Sequence, residues 1–188
     1  KGVEARISWD NIAALNRRVV EPRANRYFFI ENPKPLRIVG FDEPLEARLP
    51  LHPDHPERGV RRLRVEPEDG AVELQIAERD AERLRPGERV RLMGLMNIEV
   101  RETEPNLEAE PIPGDHLEAR RMGLAFIHWL PKGLGVEAEV VMPDASRVRG
   151  LVEPLCLEEE AGSIVQFERF GFARIDSLNP LVAYYAHR

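Results

Sequence analysis

The sequence predicts an all-β protein of two small antiparallel barrels, preceded by a short helix. Three observations carry this. Short runs of β-branched and aromatic residues recur from Tyr27 to Phe167, each bounded by turn-forming residues. The chain holds 16 prolines and 13 glycines, enough to punctuate many strands. Its 188 residues suit two small barrels better than one.

The helix is Ser8–Val20, SWDNIAALNRRVV. Ser8 is placed to cap it, and Ile12, Leu15 and Val19 recur on one side. Arg17 and Arg18 lie in the C-terminal half, where cations are favoured, and Pro22 ends the element. A short helix at the start reads as the remnant of an upstream domain, and Lys1, which is not an initiator methionine, points to processing or truncation. Strands are expected at Tyr27–Ile30, Leu36–Val39, Val60–Val65, Val72–Ile76 and Val90–Met93. Further strands are expected at Ile98–Val100, Leu124–Trp129, Gly135–Val141, Ser146–Leu151 and Ile164–Phe167. Ala77–Leu84 suits one short helix. No internal repeat and no low-complexity tract stands out.

Composition narrows the function. Apolar residues make up 43% and charged residues 32%, as in a well-packed soluble protein. No apolar run is long enough to cross a membrane, and Lys1–Asp10 is not a signal peptide. The single cysteine, Cys156, excludes an internal disulfide and reads as a small buried hydrophobe, which fits a reducing cytoplasm. The net charge of −6 argues against a surface that binds nucleic acid everywhere. Yet the arginines cluster at 17, 18, 23 and 26, at 58, 61, 62 and 64, and at 83, 85, 89 and 91. That leaves room for a localised basic face on an acidic body. Their excess over lysine fits ion-pair networks and a heat-adapted source.

Ile164–Asp176, IVQFERFGFARID, sets Gln166, Glu168 and Arg169 among apolar residues and closes on Gly171. An amide and a guanidinium on a strand and turn suit nucleotide base edges and phosphates. The bland reading is a solvated charge pair. Arg89 and Arg91 lie two apart, so a strand points both to one face, which Arg83 approaches from before the Pro86–Gly87 turn. The bland alternative there is a salt-bridged solvent face. His52 and His55, in LHPDHPE, lack further ligands and read as a rigid surface turn; no metal site is expected. His116 is isolated, and His128 reads as a hydrogen-bonded core or rim histidine. Glu158–Glu160 read as a solvated loop. No phosphate-cradling loop, GxSxG or HExxH is present, so nothing marks a catalytic residue.

Five segments in order resemble the anticodon-binding region of the glutamyl- and glutaminyl-tRNA synthetase family. They are WDNIAALNRRVVEPRANRYFFI (Trp9–Ile30), LHPDHPERGVR (Leu51–Arg61), RPGERVRLMGLMNIEV (Arg85–Val100), IHWLP (Ile127–Pro131) and VQFERFGFARID (Val165–Asp176). RYFFI at Arg26–Ile30 is similar to glutamyl enzymes of archaeal and eukaryotic type, and an archaeal source is expected. The resemblance implies a C-terminal fragment of a class I glutamate–tRNA ligase whose catalytic domain is absent, so that the fragment alone is inactive. It implies that the second barrel is inserted in the first. Residues 1–24 would form a helical connector, 25–80 and 135–188 the proximal barrel, and 81–134 the distal one.

The resemblance also assigns site residues. Arg26 and Gln166 match residues that read the middle anticodon base, Arg83 one near the third base and Arg91 one near the first. Arg169 lies beside Gln166 in the same motif and assists through a base or phosphate. Met93 stands where glutaminyl enzymes can place a further arginine. The implied partner is tRNA(Glu), with tRNA(Gln) a further candidate; the protein would be a cytoplasmic monomer with no membrane partner. The fragment would need no cofactor, while ATP with magnesium, and glutamate, would serve the missing domain. Two alternatives stay open: the same region of a glutaminyl enzyme, and a non-enzymatic β-barrel that binds protein partners.

Overall fold

A computed structural model describes residues 8–188; residues 1–7 of the expected connector lie outside the described residues. Helix α1 (Trp9–Val20) begins at Ser8, whose hydroxyl accepts from the Asn11 N–H at 3.2 Å, as a capping serine should. Among the described residues, the helix buries apolar side chains against the body at its last turn. Val20 and Ala24 bury against Phe172, while Ile12, Leu15 and Val19 are 44%, 62% and 58% exposed. The apolar stripe read from the sequence therefore does not pack on the barrel. Side chains from the LHPDHPER segment fix the helix end instead. His52 Nε2 donates to the Glu21 carbonyl at 2.9 Å, and Arg58 Nη1 donates to the Arg23 carbonyl at 3.0 Å. The Asp54 N–H donates to His52 Nδ1 at 3.1 Å, which puts the ring proton on Nε2. His52 is buried while Pro53, Asp54, Pro56 and Glu57 are exposed, so the expected surface turn also anchors the helix end.

The strands follow as β1 (Asn25–Tyr27), β2 (Phe29–Glu31), β3 (Lys34–Val39), β4 (Leu45–Pro50), β5 (Val60–Val65) and β6 (Ala71–Ile76). After helix α2 (Glu78–Ala81) come β7 (Arg89–Leu92), β8 (Asn97–Glu102) and β9 (Glu108–Ile112). Helix α3 (His116–Arg121) precedes β10 (Ala125–Ile127), β11 (Trp129–Pro131), β12 (Val136–Val141) and β13 (Arg147–Val152). The chain ends with β14 (Ile164–Phe167), β15 (Gly171–Leu178) and β16 (Leu181–His187).

Two seven-stranded sheets form two nearly closed barrels. The first runs β1-β14-β15-β16-β12-β13-β2 and the second β10-β7-β8-β9-β3-β6-β11. The second is inserted in the first, as expected, but the strands divide differently from the expected boundaries. β3 and β6, within residues 25–80, pair in the second barrel. The barrels are also not purely antiparallel: β1–β14 and β12–β16 are parallel in the first, β7–β10 and β3–β9 in the second.

Read from one edge to the other, both sheets show the same succession of pairings: parallel, two antiparallel, parallel, two antiparallel. Each contains an edge segment, an antiparallel pair and a three-strand run. In the first barrel the edge segment 25–31 comes first in the chain; in the second, 125–131 comes last. The barrels are thus circular permutations of one plan, a repeat of pairing that composition does not reveal.

Each edge segment is one extended run split at a single residue, Phe28 or His128, so that its halves pair with opposite edges of the same sheet. This closes the barrel and removes its open edges. It also explains the unbroken apolar run YFFI. Tyr27 and Phe29 enter the core of the first barrel, Phe28 and Ile30 that of the second, so both faces of the segment are buried.

β4 and β5 form a separate two-stranded ribbon that buries Ala47, Leu63 and Val65 in the second core. From it, Arg61 reaches the first barrel. Its Nη1 donates to Glu153 Oε1 at 2.6 Å, its Nη2 donates to Glu168, and the guanidinium lies 4.9 Å from the Phe28 ring centroid. The same Glu153 oxygen accepts from the Phe28 N–H at 2.6 Å, satisfying the backbone where the segment breaks. Arg61 and Glu153 are both buried. Arg61→Met leaves that carboxylate without its cation and is expected to cost about 3–5 kcal/mol in urea unfolding. A loss below about 1 kcal/mol would show that the triad does not hold the barrels.

Candidate nucleic-acid interface

Arg26 and Gln166, 140 positions apart in the numbering of the chain, are register partners on the adjacent parallel strands β1 and β14. Tyr27 and Phe167, the next residues, are buried, so the alternation turns Arg26 and Gln166 outward together. Arg26 pairs with Glu21 at 3.6 Å and not with Glu168, whose carboxylate belongs to Arg61. The Gln166 side chain has no hydrogen-bond partner among the described residues and is open to a ligand. It lines a cleft of about 270 Å³ with Arg17, Glu21, Arg169, Gly171, Phe172 and Arg188.

Arg169 sits in the turn between β14 and β15, closed by the Phe170 N–H donating to the Phe167 carbonyl at 3.0 Å. Its φ of 65° lies in the left-handed region, unusual for a side chain of that size. Gly171 follows at φ 152°, where a Cβ would stand 2.6 Å from the Tyr185 ring and 2.8 Å from the His187 carbonyl. The second barrel supports this conformation. Arg169 Nη1 and Nη2 donate to the two Asp80 carboxylate oxygens at 2.6 and 2.8 Å, and Nη1 also donates to His128 Nδ1 at 2.9 Å. Arg79, beside Asp80, donates to the Arg169 carbonyl at 3.4 Å.

His128 Nδ1 accepts, so Nε2 carries the proton and donates to the Phe29 carbonyl at 2.8 Å. Burial, helped by the Arg169 charge, pushes the imidazole down to about 4. Burial opposes ionisation of Asp80, but the hydrogen bonds and charge of Arg169 outweigh it and hold the carboxyl below its usual range.

The other expected site residues stand apart from this cleft. Arg83 follows α2 and is exposed, with no side-chain partner among the described residues. Arg91 is buried, because α3 lies over β7; it donates to Asn97 Oδ1, its cross-strand partner, at 2.9 Å. The salt-bridged solvent face holds for Arg89, which pairs with Glu99 at 2.7 Å, and fails for Arg91. Glu159 is not a free loop carboxylate either: it accepts from Asn25 Nδ2 and the Tyr27 hydroxyl, both at 2.7 Å.

Sequence reasoning missed Asp80, Arg61 and Glu153. Nothing in the linear sequence signals that an acid in the short helix ERDA meets an arginine 89 positions later. Among the described residues, no group of three or more His, Cys, Asp and Glu side chains is arranged to hold a metal, and no helix is long and apolar enough to cross a membrane.

The neutral His128 has a pH signature. The imidazole titrates near 6.5 in the unfolded chain and near 4 in the fold. Its contribution to stability is fully present above 6.5 and is lost as pH falls towards 4, because the unfolded chain binds the proton first. An NMR titration should place the His128 midpoint near 4. A midpoint at or above the exposed value would contradict the Arg169–His128 contact.

Comparison with known proteins identifies the family. Two family models, both described as the anticodon-binding domain of class I tRNA synthetases (E and Q), match residues 24–115 and 126–176. Similar proteins include glutamate–tRNA ligases of Pyrococcus furiosus, 42% identical, and Methanothermobacter thermautotrophicus, 43% identical; each alignment covers all of this chain and 32% of the relative. The ligase of Caldivirga maquilingensis is 39% identical over 93% of the chain and 30% of its own length. The chain therefore spans about a third of the length of the curated relatives it matches. The chain belongs to the anticodon-binding family of the class I tRNA synthetases for glutamate and glutamine.

Proposed function

We propose that this chain reads the anticodon of tRNA(Glu) for a cytoplasmic ligase that joins glutamate to that tRNA with ATP and magnesium. The ligation chemistry belongs to the remaining two thirds of the relatives' length, and the chain alone does not perform it. The observation that carries the proposal is the register pairing of Arg26 with Gln166, the latter lining an open cleft, within a chain whose family binds anticodons. A splayed uracil offers carbonyl acceptors and one N–H donor. A glutamine amide meets both kinds of group, while arginine only donates.

In this reading Arg26 and Gln166 take the middle base, a uridine in both glutamate and glutamine tRNAs, and do not separate the two. Arg83, exposed beyond α2, takes the third base and carries that discrimination. Arg91 acts near the first base. Its support is the motif alone, since its side chain is buried against Asn97. The first barrel thus serves the middle base and the second the flanking ones, on a protein that acts as a monomer. Gln166→Ala should cost about 1–3 kcal/mol of preference for a middle uridine over another base, by analogy with base-edge contacts in duplexes. Binding assays on paired transcripts at fixed salt measure it. Equal losses on both RNAs would show that Gln166 does not read that base.

A further inference from the structure

We infer that Asp80 and His128, both in the second barrel, are positioning residues for recognition at the first: they hold the Arg169 guanidinium so that one free edge faces the Gln166 cleft and donates to O4 of the bound base, the carbonyl oxygen that uracil carries where cytosine carries an amino group. The inference rests on the proposed reading of that cleft. A guanidinium has five N–H donors in a fixed planar fork. Asp80 takes one from each terminal nitrogen, and His128 takes the second hydrogen of Nη1. The remaining Nη2–H and the Nε–H lie side by side on the opposite edge of the fork. Neither has a partner among the described residues, and the side chain, 29% exposed, lines the cleft with Gln166.

Three contacts from outside the turn fix that edge. The two-toothed pair with Asp80 sets the guanidinium plane. The His128 nitrogen holds the far corner and, being neutral, accepts without adding charge. Arg79 holds the carbonyl of the same residue, which keeps Arg169 in its left-handed conformation. Charge neutralisation alone would need only Asp80. The additional acceptor at His128 Nδ1 fixes the Nη1 corner, because this edge of the guanidinium lies against buried groups and leaves the other edge as the one that faces the cleft.

The test uses the 188-residue chain and two tRNA(Glu) transcripts, one with uridine and one with cytidine at the middle anticodon position. Asp80→Asn keeps the shape of the side chain but turns a donor towards Arg169. It should cut the preference for uridine about tenfold, the loss of one charge-assisted hydrogen bond. The histidine variants read the second contact. His128→Asn keeps a polar atom at the Nδ1 position that can accept from Arg169, whereas His128→Gln places its amide at the Nε2 position. The asparagine variant should retain more of the preference, although both lose the imidazole packing. A merely structural role would lower binding to both transcripts alike and leave the preference unchanged, and that result overturns the inference. Should Asp80→Asn fail to fold, the histidine pair decides, and equal preference in the two overturns it. No preference in the wild-type chain would instead overturn the reading of the cleft itself.

Discussion

Both barrels are closed by a segment broken at one residue, and the two breaks, Phe28 and His128, meet with ring centroids 5.8 Å apart. The rest of the structure depends on this contact. A split segment pairs with both edges of its sheet only if the residue at the break satisfies its polar groups and buries its side chain elsewhere. Phe28 places its ring in the neighbouring core and gives its N–H to Glu153. His128 gives its ring proton to the Phe29 carbonyl and its other nitrogen to Arg169. Glu153 belongs to the first barrel itself, but the second core buries the Phe28 ring and the first barrel partners both His128 ring nitrogens, so neither closure is independent of the other.

That dependence gives the β14–β15 turn its character. The segment QFER leaves Gln166 open on the surface and commits the two residues after Phe167 to the second barrel, Glu168 to Arg61 and Arg169 to Asp80 and His128. The ion pairs are costly to desolvate and are retained where they fix geometry. The excess of arginine on an acidic chain is thus spent largely at home. Arg58 caps a helix end, Arg61 and Arg169 join the barrels, and Arg89 and Arg101 share Glu99. On the proposed reading, recognition falls to a few oriented side chains at one cleft, which needs no uniform basic surface.

Much of this was legible in the sequence, and the limits have physical causes. The helix, its serine cap and ten strand positions follow from periodicity and turn residues. β4, β9, β15 and β16 were not among the expected strands; in β4 and β9, LEARLP and EAEPI carry charges and proline where a strand usually shows apolar alternation. α3 was missed although Asp115 and Glu118 form a capping box, since six residues give too little periodicity to outweigh the surrounding strands. YFFI and LAFIHW each read as one strand, because a break at a single residue changes pairing without changing composition. The family motif brought Arg26 and Gln166 into one hypothesis, and only the parallel register shows them side by side. The partners that hold Arg169 were illegible because their pairing depends on how two permuted barrels face each other.

On the proposed reading, two interlocked barrels present one oriented recognition cleft beside Gln166. A structure of the chain bound to tRNA(Glu) tests it most directly. The middle anticodon base should lie between Arg26 and Gln166, with the Arg169–Asp80 pair intact and the free edge of Arg169 on O4 of that base. A complex in which that base lies elsewhere, or in which Arg169 leaves Asp80 to follow the RNA, would contradict it.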